Sequence, residues 1–267
     1  MLWLSLILMV LVGISLGLLG SGGSILTLPI LIYVANIDPV TATSYTLFIV
    51  GISALIGSIR NTILGLVDYK TTIYFGIPSL ISVYFTRYFI LPALPETLIE
   101  LNGLIISKDV MIILLLSILM IISSYSMIRK VNHNPIPNEN KKLSSLNVPL
   151  ILLQGVVVGF VTGFVGAGGG FLIVPALLFL CKLPVKKAVG TSLAIIAINT
   201  SVGFSGDLIQ GIHLDWERLS SFTISALIGT VLGLIISKRI KENQLKITFG
   251  WFVLIMGVFI FVKELFL

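Results

Sequence analysis

The chain alternates long apolar runs with short polar breaks. Ten runs can be read: 2–19, 24–35, 42–59, 71–91 and 110–128, then 148–166, 170–181, 188–206, 219–237 and 247–265. A helix of about 20 apolar residues crosses a hydrocarbon core of about 30 Å. The runs 24–35 and 170–181 have only about 12 residues and as helices would extend about 18 Å. Each follows a glycine cluster, so the pattern predicts broken helices or re-entrant hairpins there. Eight full spans plus two short ones, and ten full spans, both stay open. The longest polar stretch, Arg129 to Asn147, holds Pro135, Pro137, several Asn and four basic residues, and reads as a linker. The expectation is one all-α polytopic membrane domain: a first repeat over 1–130, a cytoplasmic linker over 131–147 and a second, inverted repeat over 148–267. The first run has no basic residues before it and continues into a glycine motif that recurs. It is expected to be a retained membrane segment and not a signal peptide.

Composition agrees. Of 267 residues, 57% are hydrophobic and 10% charged, with a mean hydropathy of +1.12. Soluble domains carry about 25% charged residues, so a soluble enzyme, a disordered chain and a collagen-like chain are excluded. The net charge of +6 does not point to nucleic acid, because the basic residues sit in short breaks between apolar runs. Placing the linker in the cytoplasm and reversing direction at every run puts 13 of the 17 Lys and Arg inside. Arg87, Lys108, Arg218 and Lys263 fall at the outer side. Cys181 is the only cysteine, so no internal disulfide can form.

The two halves match at a constant offset of 146 residues. Gly13, Gly17, Gly20, Gly22, Gly23, Leu26 and Pro29 correspond to Gly159, Gly163, Gly166, Gly168, Gly169, Leu172 and Pro175. Gly57 and Gly65 correspond to Gly203 and Gly211. Thr43–Ser44 meets Thr191–Ser192 only after a two-residue gap. With an odd number of runs per repeat, the second repeat is inverted, and inverted repeats with discontinuous helices are a transporter architecture.

The clusters read GLLGSGGS (Gly17–Ser24) and GFVGAGGG (Gly163–Gly170). Glycine-rich turns expose backbone N–H groups, and the following helix adds its positive dipole end. Two facing clusters would offer N–H donors to a small oxyanion. The candidate substrate-binding residues are Gly20, Ser21, Gly22, Gly23 and Ser24, with Gly166, Gly168, Gly169 and Gly170. Thr43, Ser44, Thr191, Ser192 and Asn199 join them. Gly13, Gly17, Gly159 and Gly163 are better explained by close helix packing. Helix capping is an alternative for the hydroxyls, and interhelical bonding for Asn199. Arg87, flanked by Tyr84 and Tyr88, either attracts anions at an outer vestibule or snorkels to the headgroups. Asp38, Asp68, Asp207 and Asp215 lie at run ends and are expected to be loop or cap residues. His133 and His213 lie in breaks, so neither a haem nor a histidine metal site is expected, and no cofactor is.

The motif pattern resembles the TauE/SafE sulfite exporter family of membrane permeases. The resemblance rests on GSGGSILTLP (Gly20–Pro29), GAGGGFLIVP (Gly166–Pro175), AVGTSLAIIAIN (Ala188–Asn199), GLVDY (Gly65–Tyr69) and GIHLDW (Gly211–Trp216). PVTATSY (Pro39–Tyr45) departs from the pattern, being two residues shorter than PVKKAVGTS (Pro184–Ser192). The resemblance implies a multi-pass cell-membrane permease, not an enzyme, that moves sulfite, organosulfonates or related anions. Its partners are then a small anion and membrane lipid, and homo-oligomer formation stays open. Rival readings are a transporter of another solute with ion coupling and a non-transporting membrane scaffold or sensor.

Overall fold

A computed structural model describes residues 2–19, 23–95, 97–101, 104–128, 148–166, 168–179, 181, 183–236 and 242–266. The linker 131–147 and the candidate residues Gly20, Ser21 and Gly22 lie outside the described residues. The first half forms α1 (Leu2–Leu19), α2 (Ser24–Tyr33), α3 (Pro39–Ile63), α4 (Tyr69–Ala93) and α5 (Lys108–Ile128). The second forms α6 (Val148–Val165), α7 (Gly170–Phe179), α8 (Val185–Ile209), α9 (Trp216–Ile236) and α10 (Glu242–Phe266). The bounds of α6, α7 and α8 are those of α1, α2 and α3 shifted by 146 residues. The architecture is helical, as expected. One departure is a short antiparallel hairpin between α4 and α5, strands β1 (Thr97–Leu101) and β2 (Leu104–Ser107). Its β-branched residues flank an Asn-Gly pair in the sequence, which is favoured hairpin chemistry.

Among the described residues, six helices are long and apolar enough to cross a membrane: α3, α4, α5, α6, α8 and α9. Helices α2 and α7 have 10 residues each and extend about 15 Å, too short to span. The molecule is apolar outside and buries polar side chains among a hydrophobic core. Trp3, Ile63, Ile81 and Ile255 face outward, while Thr27, Thr46, Asn199 and Thr200 are buried. Lipid accounts for both: it solvates the apolar rim and leaves polar groups to find partners within the bundle.

The packing pattern repeats when the halves are exchanged. Helix α1 packs on α9 as α6 packs on α4, and α3 packs on α9 as α8 packs on α4. Counterparts also meet each other, α3 against α8 and α5 against α10. Gly51 meets Thr200, Gly57 meets Leu193 and Gly203 meets Leu47, so α3 and α8 run antiparallel. Helices α1 and α9 run parallel and so close that glycine is required. A Cβ on Gly13 would stand 2.0 Å from the Ala226 carbonyl oxygen, and one on Gly229 would stand 2.0 Å from that of Val10. The α4–α6 pair has the same character, with a Cβ on Gly159 falling 2.3 Å from the Ser79 carbonyl oxygen.

The sequence pairs GLVDY and GIHLDW are helix joints. Gly65 (φ 66°) and Gly211 (φ 74°) end α3 and α8 in the left-handed conformation. The Leu66 amide then donates to the Asn61 carbonyl (2.9 Å) and the Ile212 amide to that of Asp207 (3.4 Å). Asp68 accepts from the Thr71 amide (3.3 Å) to cap α4, and Asp215 accepts from the Glu217 and Arg218 amides (3.1 Å each) at the start of α9. Asp38 caps α3 through the Thr41 amide at 2.8 Å. Three of the four aspartates are therefore caps, as expected.

Two predictions follow from this packing. Gly229→Ala should lower stability by about 1–3 kcal/mol through overpacking. Gly76→Ala, whose added Cβ would meet only Ile195 Cγ1 at 3.7 Å, should be tolerated. Thermal unfolding of the detergent-solubilised protein checks the contrast, and equal effects would contradict the close α1–α9 approach. Cys181 lies between α7 and α8, where burial, with the Asp68 carboxylate adding to it, pushes the thiol up to about 11. Only the thiolate reacts. Maleimide labelling of the folded protein should accelerate about tenfold per pH unit until roughly pH 11, and a rate that levels off near pH 9 would contradict the assignment.

Candidate functional site

The expected site residues separate into groups. Thr43 and Ser44 sit near the start of α3, beside the end of α8. Thr191 and Ser192 sit near the start of α8, beside the end of α3, because the two helices are antiparallel. From Thr43 to Gly57, which meets Leu193, is about 21 Å along α3. The two Thr-Ser pairs therefore occupy opposite ends of the α3–α8 pair and do not converge on one ligand. Thr191 accepts a hydrogen bond from the Asp68 amide (2.9 Å) and Ser192 donates to the Val189 carbonyl (2.8 Å). The first bond reinforces the joint after α3, and the second stays within α8. Asn199 donates to Ser79 Oγ of α4 at 2.6 Å, the interhelical bond that was its alternative reading.

The second glycine cluster forms an unusual turn between α6 and α7. Gly166, Gly168 and Gly169 all have positive φ, at 66°, 70° and 67°. A side chain is excluded on two counts, conformation and space. A Cβ on Gly168 would fall 2.9 Å from Val50 Cγ1 and 3.3 Å from Thr200 Cγ2, near the middle of the α3–α8 crossing. A Cβ on Gly169 would fall 2.0 Å from Thr162 Oγ1. Gly170 opens α7 and is buried. In the first cluster, Gly23 and Ser24 are buried at the start of α2. Gly23 has an ordinary φ of −67° and abuts the backbone of α1 at Leu16 and Val12.

At the end of the structure that holds Thr43 and Gly166, the sequence reading needs two corrections. Arg87 does not snorkel to the headgroups: it is 0% exposed. Asp207 is not a loop or cap residue: α8 continues to Ile209 and Asp207 is 1% exposed. They are the only charged side chains among the described residues that are fully buried, and they pair with each other. Arg87 Nη1 donates to Asp207 Oδ2 (3.0 Å), Asp207 Oδ1 (3.2 Å) and Thr43 Oγ1 (3.0 Å). Ser44 Oγ donates to Asp207 Oδ2 at 2.5 Å, and Thr43 Oγ1 donates to the Val40 carbonyl at 2.7 Å. The Arg87 carbonyl in turn accepts from Gln210 Nε2 at 2.7 Å.

Local backbone places the arginine. Residues Thr86–Ile90 form a π-helical turn inside α4, a distortion frequent at functional sites. Arg87 thus points into the bundle while Tyr84 and Tyr88, stacked 5.4 Å apart, stay on its outer face. Gly166 closes over the guanidinium, where a Cβ would stand 2.3 Å from Nη2 and 2.5 Å from Thr43 Cβ. The opposite end of the α3–α8 pair has no such charge. At the repeat offset, Asp207 corresponds to Asn61, which donates to the Gly57 carbonyl at 2.8 Å. Arg87 corresponds to Leu234 at the α4–α9 offset of 147.

These features define a multi-pass membrane protein with a closed polar centre and one buried ion pair. The chain belongs to the TauE/SafE sulfite exporter family, whose model, described as "Sulfite exporter TauE/SafE", matches residues 5–260. It is a membrane transporter of that family. A relative from Xylella fastidiosa, named "Probable membrane transporter protein", is 28% identical over 255 residues, covering 94% of this chain and 91% of its own. One from Methanocaldococcus jannaschii with the same description is 27% identical over 269 residues, covering 94% of each chain. The Bacillus subtilis "Probable membrane transporter protein YunE" is 25% identical over 270 residues, covering 91% of this chain and 92% of its own. No solved structure matches.

The ion pair makes a stability prediction. Arg87→Leu or Asp207→Leu leaves one buried charge without its partner and should cost about 3–5 kcal/mol. The double replacement should recover most of that loss. Thermal unfolding of the four proteins, with the coupling taken from the double-mutant cycle, checks it, and additive effects would show that the pair does not act as a unit.

Proposed function

We propose that the protein carries small oxyanions, of the sulfite or organosulfonate class, across the membrane by alternating access between two inverted halves. The observation that carries this reading is the buried Arg87 guanidinium against the left-handed Gly166 turn, a cation where lipid-embedded charge is costly. The inversion is supported by the antiparallel α3–α8 crossing of counterpart helices and by the exchange symmetry of the packing. In the orientation that puts most basic residues inside, the Arg87 end faces outward. The Asn61–Thr191 end, where no described charge is fully buried, then faces the cytoplasm.

The physical direction of transport is outward. With the inside negative, each elementary charge is worth about 2.3 kcal/mol per 100 mV, so a divalent anion gains roughly 4.6 kcal/mol on leaving. Export then needs no coupling ion. Asp207 is buried, but it is held by Arg87 and Ser44 and so does not offer a free carboxylate to a cation.

Proteoliposomes loaded with labelled sulfite test the reading. Efflux should accelerate when the side corresponding to the cytoplasm is made negative, and should be inhibited by competing sulfonates. The absence of sulfite or sulfonate flux at either polarity, with protein shown to be folded, would reject it in favour of a scaffold or sensor.

A further inference from the structure

We infer that the substrate oxyanion is gripped by one edge of the Arg87 guanidinium, formed by Nε–H and Nη2–H, beneath the Gly166 turn. Asp207 is the fixed counter-ion that neutralises this arginine when no substrate is bound. The inference rests on the transport reading above and names its binding residue.

The argument begins with the division of donors on Arg87. All of its side-chain hydrogen bonds leave from Nη1, toward Thr43 Oγ1 and both oxygens of Asp207. Nε and Nη2 have no partner among the described residues, although Arg87 is 0% exposed. A buried donor without an acceptor costs free energy, the more so on a charged group. These two donors are not scattered. Nε–H and Nη2–H point the same way along one side of the planar group, the fork that takes two oxygens of a carboxylate, sulfonate or sulfite at once. Asp207 could have used this edge and instead crowds onto the other nitrogen.

In this closed conformation the free edge is covered by glycine backbone and not by a side chain. Nη2 lies against Gly166, where even a Cβ would overlap it at 2.3 Å, so the turn closes over this edge here and an oxyanion reaches it when the turn parts from Arg87. The Gly166–Gly169 turn belongs to the segment between α6 and α7, so a ligand on this edge would touch both halves, α4 from the first and the α6–α7 turn from the second. That is the position from which an anion can bias the two halves relative to each other.

Asp207 also has a role in the cycle. The empty carrier must return, and carrying an unpaired guanidinium through that step would be costly in a low-dielectric interior. Paired with Asp207, it returns neutral. The carboxylate repels the bound anion at the same time, which keeps binding weak enough for release. Ser44 holds Asp207 on the far side of Nη1 and keeps the other edge clear.

The test uses the purified full chain in detergent, with sodium sulfite and sodium ethanesulfonate as probes and sodium chloride at matched ionic strength as the control. Binding is read by titration of the melting temperature, and flux in proteoliposomes. Arg87→Lys keeps the charge but loses the two-donor edge, and should weaken both probes at least about tenfold. Asp207→Asn should bind them more tightly than the unmodified protein. It should retain anion exchange, in which the carrier returns loaded, but lose net efflux, in which it returns empty. The double variant Arg87→Gln/Asp207→Asn has no buried charge and serves as the folding control. It should melt cooperatively and bind neither probe. If that folded double variant binds and transports both anions as the unmodified protein does, the pair is only structural and the inference is overturned while the transport reading stands. If the unmodified protein neither binds nor moves either anion, the transport reading itself fails and takes the inference with it.

Discussion

Hydrocarbon offers no hydrogen bonds, and most of what is distinctive here answers that constraint. A polar group placed inside the bundle has only the bundle to supply a partner. The hydroxyls of Thr46, Thr162, Thr200, Thr223 and Thr230 find one locally, each donating to the carbonyl four residues earlier. Asn199 reaches across to Ser79. The demanding case is Arg87, a guanidinium with several N–H donors and no exposure to solvent. Its pairing with Asp207 joins α4 to α8, and the Thr43 and Ser44 bonds tie α3 to the same point. Three of the helices that build the centre therefore meet at one ion pair.

The second constraint is proximity. Without a hydrophobic driving force between helices in lipid, adhesion comes from close contact of backbones. The glycines of α1 and α9, and those of α6 against α4, let carbonyls approach to distances that a methyl group would forbid. These two tight pairs each join one half of the chain to the other. Each half thus lends a helix to its counterpart, and neither is a separate bundle. The short helices α2 and α7 pack within this frame, and Gly168, just before α7, lies against α3 and α8, which is how non-helical backbone can exist at depth without facing lipid.

The halves correspond closely in helix length and packing, yet they differ in charge. One end of the α3–α8 pair carries Arg87 and Asp207; the other carries Asn61, Thr191 and the capped joint at Asp68. An internal duplication can keep its scaffold symmetric while its chemistry diverges, because packing glycines and cap aspartates constrain the backbone whereas a buried charge needs only one place to sit. The asymmetry gives the two faces of the membrane different polar ends to meet.

Much of the fold was legible because lipid imposes simple rules on sequence. The apolar runs, the two short helices after glycine clusters, the 146-residue correspondence and the caps at Asp38, Asp68 and Asp215 all follow from local pattern, and the structure keeps them. The hairpin at Thr97–Ser107 was missed, although its Asn-Gly pair was a usable signal. The site was less legible. Thr43–Ser44 and Thr191–Ser192 look equivalent in sequence but lie at opposite ends of antiparallel helices, and run spacing carries no information about that. Arg87 was visible as a charge inside an apolar run, but its alternative, snorkelling, differs only in which way a helix face turns. In the fold Arg87 sits in a π-turn of α4 and is wholly buried. Asp207 lay one residue past the apolar run and looked like a cap until α8 proved to continue through it. Sequence alone determined the class, the segments and the duplication, since each depends on neighbours along the chain. Which charge meets which, and beneath which glycine, depends on helix rotation and crossing, and only the packed structure decided it.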